Sequence, residues 1–88
     1  MNTISFHDTH VYPGCLATIL AVPAGVTPGT AEFSDGSMVA VTLERLDREE
    51  VIVRVDAYTT ARGTRIPSKD WRLVYDDGRD LWKVAAKV

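Results

Sequence analysis

The 88-residue chain has one cysteine, three lysines and no glutamine. Cys15 has no second cysteine to pair with, so no disulfide inside the chain staples the core, and the chain suits a reducing compartment. Good helix formers are scarce, and no window of a dozen residues carries apolar side chains at i, i+3, i+4 and i+7. Long apolar runs are also missing. The longest, Cys15 to Pro23, is broken by Thr18 and falls well short of the ~20 residues that span a bilayer. The first ten residues hold Asp8 and no Lys or Arg, so they lack the positive region of a secretory signal. The expectation is a cytoplasmic protein with no membrane partner. A large excess of one charge is absent too: twelve acidic residues against ten basic give −2, which argues against a polycation of the histone type.

What is present favours strands. Eleven Val, nine Thr, four Ile and seven aromatic residues suit a pleated, half-buried surface. Turn residues punctuate the chain at short intervals: Pro13-Gly14, Pro23 to Gly25, Pro28-Gly29, Asp35-Gly36, Gly63, Pro67 and Asp77-Gly78. Apolar content of 45% is that of an ordinary globular domain, and the length allows one domain, spanning residues 1–88. The expected fold is all-β, a small antiparallel barrel or partly open barrel of five to six strands, with a pair of packed sheets as the second choice. A core this small gains from dimerisation.

Two hairpins stand out. Trp71, Leu73 and Tyr75 alternate with Arg72, Val74 and Asp76, and Leu81 to Val88 returns after Asp77-Gly78. A two-residue turn at Asp77-Gly78 pairs Leu73 with Trp82 and Trp71 with Val84 on a buried face, and sets Arg72 opposite Lys83 on a solvated one. Between Ser37 and Tyr58, Val39, Val41 and Leu43 alternate, as do Val51, Val53 and Val55. Pairing Leu43 with Val53 keeps both apolar sets on one face and needs an odd-numbered loop or a bulge around Asp47–Glu50. Asp35-Gly36 marks a further hairpin, Leu16 to Val22 a strand closed by Pro23, and Asn2 to Phe6 an edge strand. Thr59 to Ser68 is expected to be a loop, and one of that length in a small domain is functional or mobile.

From Val11 to Leu46 the chain resembles the opening of SH3-like small barrels of the KOW and Tudor types. The matching residues are Pro13-Gly14, the strand Ala17-Thr18-Ile19-Leu20-Ala21-Val22, then Ala31-Glu32-Phe33 before Asp35-Gly36, and Val39-Ala40-Val41-Thr42-Leu43. The resemblance implies an SH3-like fold and a binding module for peptide, protein or nucleic acid rather than an enzyme. It transfers no aromatic cage.

Signatures of catalysis are few. There is no serine elbow, no phosphate-binding glycine loop and no H-E-x-x-H. His7, His10 and Cys15 are the candidates for a metal site or a thiol nucleophile with a histidine base. The plainer account is two exposed imidazoles and a small thiol buried at the start of a strand. Asp76, Asp77 and Asp80 are expected to be solvated turn carboxylates rather than a calcium site. No cofactor is expected.

Charge distribution is more telling. Residues 1–53 sum to −5 and residues 54–88 to +3. Seven of the ten basic residues are arginine, the side chain suited to forked contacts with phosphate or carboxylate. The candidate binding face is Tyr58, Arg62, Arg65, Lys69, Trp71 and Arg72: cations on a glycine-bearing segment, flanked by two aromatics. The leading expectation is a non-catalytic module that contacts protein, including self-association through the acidic Asp47–Glu50 turn of a second copy. The alternatives are a nucleic-acid-binding barrel using the 58–72 face and a metal- or thiol-dependent enzyme.

Overall fold

A computed structural model describes residues Asn2–Val88. Seven strands close into a barrel: β1 (Asn2–Phe6), β2 (Leu16–Ile19), β3 (Val26–Glu32), β4 (Met38–Arg45), β5 (Glu50–Val55), β8 (Lys69–Asp76) and β9 (Leu81–Lys87). Their order around the wall is β1-β2-β9-β8-β5-β4-β3, and two short strands, β6 (Tyr58–Thr59) and β7 (Arg65–Ile66), pair only with each other. The small-barrel class matches the expectation, and the strand number is seven rather than five to six.

Inward residues follow the period of two that the pleat demands. Val39, Val41 and Leu43 point inward from β4, Val51, Val53 and Val55 from β5, and Trp71 and Leu73 from β8. With Ile4, Phe6, Ala31, Phe33, Trp82 and Val84 they form one core cluster, and no polar or charged residue among those described is buried. The β4–β5 register is the one that alternation demands, Leu43 with Val53 and Val41 with Val55. Its turn adds the odd-numbered loop, since Arg45 pairs with Val51 and Leu46 N–H donates to the Glu50 carbonyl at 3.0 Å.

The β8–β9 register differs from the expectation by two residues. Leu73 lies opposite Val84 and Tyr75 opposite Trp82, so the same side chains remain on the inner face. The loop has four residues because Asp76 Oδ1 accepts the Gly78 N–H at 3.1 Å, and the left-handed position falls on Asp80 (φ 54°). Aspartate tolerates that region, which frees the turn from needing glycine there. An irregularity between Arg72 and Leu73 shifts the register by one more residue, so Trp71 lies opposite Lys87 rather than the expected Val84. Arg72 therefore faces Ala86, and Lys83 faces Val74.

Three further expectations are corrected. β1 is no edge strand: it runs antiparallel to β2 and parallel to β3, sealing the barrel and making it mixed. β2 ends at Ile19, and Leu20 beyond it is 93% exposed. Pro28-Gly29 is no turn but lies inside β3. The bonds from Arg45 N–H to Gly25 O and from Phe33 N–H to Ser37 O put the odd-numbered residues of β3 in the hydrogen-bonded pairs with β4. Pro28 nitrogen thus faces away from β4, just before the β1 pairing starts at Gly29, so no ladder bond is lost. At Gly29 an added Cβ would lie 2.6 Å from the Asn2 carbonyl oxygen, so the close approach of β1 requires glycine.

Candidate functional site

The strands bring different segments to the two ends of the barrel. One end carries the β4–β5 and β8–β9 turns, tied by the Tyr75 N–H to Glu49 O bond at 2.9 Å. The other carries the β3–β4 turn, the segment from His7 to Cys15, and a finger formed by β6, β7 and the turn between them.

The finger replaces the structureless loop expected over Thr59–Ser68. Tyr58 pairs with Ile66 and Thr59 with Arg65. At its tip Thr60 N–H donates to Thr64 O at 2.8 Å, Thr64 N–H to Thr60 Oγ1 at 3.1 Å, and Gly63 N–H to Thr60 O at 2.9 Å. Gly63 takes φ 86°, a left-handed turn position that favours glycine. The root is anchored by stacked rings: Phe6 on Phe33 at 5.5 Å, and Phe33 on Tyr58 at 5.8 Å. Burial, reinforced by the charge of Asp35, raises the Tyr58 phenol above its usual pKa.

The neighbouring segment is fastened to the same end. Asp8 accepts from the Tyr12 hydroxyl at 2.7 Å and from Thr9 N–H at 2.7 Å, and its own carbonyl accepts from Ser34 N–H at 3.1 Å. The Tyr12 bond is the main cause that holds the Asp8 carboxyl below its ordinary range. His10 packs its ring against Tyr12, with centroids 4.9 Å apart.

Between finger and barrel lies an apolar recess of about 110 Å³, lined by His10, Val11, Val55, Tyr58, Ile66, Pro67, Lys69 and Trp71. A wider groove, about 600 Å³, adjoins it through His10 and Ile66 and runs past Asp35, Thr60, Arg62 and Thr64. Arg62 and Arg65 are exposed, and neither their side chains nor that of Lys69 makes a hydrogen bond or ion pair to another described residue.

No protein-family model, curated protein or solved structure matches this chain.

Of the six candidates read from the sequence, Tyr58 and Lys69 line the recess and Arg62 the adjoining groove, while Arg65, beside Ile66 on β7, lines neither. Trp71 forms part of the recess lining but is only 6% exposed and belongs to the core. Arg72 stands apart on the outer wall, where its Nη1 lies 3.4 Å from Glu50 Oε2. Val11, Val55, Ile66 and Pro67 complete the recess without standing out in sequence, and His10, a metal or base candidate there, joins them. His10 lies far from residues 58–69 in sequence, and only barrel closure brings it alongside them, so no local pattern marks it as part of this face.

His7, His10 and Cys15 take separate roles. His7 Nε2 bonds the Thr18 hydroxyl at 2.9 Å, His10 packs on Tyr12, and the buried Cys15 thiol points to the His10 and Leu16 carbonyls at 3.7 and 3.6 Å. Burial pushes the Cys15 pKa up, which favours the protonated thiol over the nucleophilic thiolate. Among the described residues no three His, Cys, Asp or Glu side chains group so as to hold a metal ion. No helix among them is long and apolar enough to cross a membrane.

Proposed function

We propose that this protein is a non-catalytic binding module that holds a protein partner at the finger end of the barrel. The observation that carries this reading is an apolar recess with Lys69 in its lining and Arg62 in the adjoining groove, two cations whose side chains lack partners among the described residues. Apolar contact supplies affinity, and fixed cations at its margin supply orientation and selectivity. The closed small barrel is compatible with an SH3-like module, in which loops at one end of a rigid wall do the binding.

The test is affinity capture from nuclease-treated extract of the source cells. It compares the unaltered chain with Arg62→Glu/Arg65→Glu and with Arg79→Glu, a change at the opposite end. Retention of the same protein by the unaltered chain and by Arg79→Glu, with loss from the finger variant, is the expected result. Equal loss from both variants, or a partner that disappears on nuclease treatment, rejects the reading. The second outcome would favour nucleic acid instead.

A further inference from the structure

We infer that the finger end takes an acidic, extended segment of a partner protein, with one aliphatic side chain seated in the recess and carboxylates beside it meeting Lys69 and Arg62, Arg65 adding positive charge on the same finger. This rests on the binding-module reading above and names the partner's chemistry.

Volume sets the anchor. An apolar cavity of about 150 Å³ accommodates benzene. At about 110 Å³, the recess suits a branched aliphatic side chain better than an indole or a purine.

The aromatic faces decide between protein and nucleic acid. Binding of unpaired bases relies on open ring faces. Trp71 is buried, and Tyr58 already stacks on Phe33, so neither presents the free platform that a run of bases needs. Asp35, which lines the adjoining groove, opposes a continuous phosphate chain. A peptide can place its few carboxylates clear of Asp35 and near the arginines.

Charge sets the flanks. On the wall and at the opposite end, Arg54 is held by Asp70, Arg72 by Glu50, and Arg79 by Asp76, while Arg48, Lys83 and Lys87, unpaired among the described residues, lie away from the recess. Arg62, Arg65 and Lys69 retain their donors, and the two arginines offer the planar fork that matches a carboxylate. Backbone bonds at the fingertip and the Tyr58–Phe33 stack hold the surface before a partner arrives, which lowers the ordering cost of binding.

The experiment pans a random peptide library against the full chain and, in parallel, against Arg62→Glu/Arg65→Glu. Near-ultraviolet circular dichroism checks that the variant keeps its tertiary packing. Enriched peptides should share Leu, Ile, Val or Met beside two or more Asp or Glu. A synthetic consensus peptide should shift the backbone amide resonances of Arg62 and Ile66 and lose at least about tenfold in affinity to the folded variant. The inference is overturned by no enrichment, by a basic or purely polar consensus, or by shifts confined to the β4–β5 and β8–β9 turns. Oligonucleotide binding at the same amides, with no peptide enrichment, overturns it in favour of nucleic acid. If the capture experiment holds a protein at the finger end while panning returns a non-acidic consensus, this inference fails and the binding-module reading stands.

Discussion

The barrel wall and the finger end use arginine in opposite ways. On the wall, Arg54 donates to both carboxylate oxygens of Asp70, at 2.7 and 3.0 Å, and Arg72 reaches Glu50. At the turn end, Arg45 donates to the Val22, Asp47 and Arg48 carbonyls, and Arg79 lies beside Asp76. At the finger end Arg62 and Arg65 hold no such partner among the described residues. The charge contrast between residues 1–53 and 54–88 is therefore partly cancelled within the fold, as the Arg72–Glu50 pair illustrates. Among the described residues, side-chain cations without a partner then stand at the finger end, as Arg62, Arg65 and Lys69, and elsewhere, as Arg48 in the β4–β5 turn and Lys83 and Lys87 on β9; those at the finger end are the ones near an apolar opening. Positive charge along a chain does not by itself mark a surface for use; the proposed surface rests on unpaired cations next to an apolar opening.

The largest expected effect comes where the two regions share a residue. Trp71 fills the barrel and lines the recess, so Trp71→Ala should lower unfolding stability by about 3–5 kcal/mol in a urea titration. A loss below 1 kcal/mol would mean that the tryptophan belongs to the finger end alone. Next is Gly29→Ala. The new methyl meets the Asn2 backbone rather than a movable side chain, and overpacking of this kind costs about 1–3 kcal/mol. Protection of the β1 and β3 amides from hydrogen exchange should fall, while finger amides, bonded within their own two strands, change little.

A smaller effect belongs to the wall's ion pair. Hydrogen bonding by Arg54 holds the Asp70 carboxyl below its ordinary value of 3.8. A depressed carboxylate contributes stability above its unfolded pKa and loses it as pH falls through the folded one. Stability should therefore decline on acidification below about pH 4, and Asp70→Asn should reduce that part of the slope. Because the Arg54 side chain is 61% exposed, the change at pH 7 should be smaller than that of Gly29→Ala. An unchanged slope would place the acid sensitivity elsewhere. Smallest of all is Arg62→Ala/Arg65→Ala, which should leave stability within about 0.5 kcal/mol in the same titration. A clear loss would show that the finger arginines support the fold, and the contrast drawn above would collapse.

Alternation made much of the wall legible in sequence. It placed Val41, Leu43, Val53 and Val55 in register because a slip of one residue would turn every valine outward. It also put Trp71 and Trp82 on the inner face although the turn joining their strands differed. Side-chain periodicity reports the face, while turn length is set by local bonds such as Asp76 to Gly78. Closure was not legible. Nothing in Asn2–Phe6 announces two partners, and Pro28-Gly29 carries the signature of a turn while serving as the place where β1 comes close. The candidate site divides in the same way: its cations could be read from composition along one segment, but its opening needs His10 and Val11 from the other side of the barrel.

The placement of β1 has a consequence for solubility. One five-residue strand covers the facing edges of both β2 and β3. A local opening that detaches it bares two rows of backbone donors and acceptors at once, which are templates for pairing with another molecule. Aggregation on heating should therefore follow the loosening of this strand rather than the exposure of the finger, and changes that tighten the β1–β3 contact should lengthen shelf life without touching the recess.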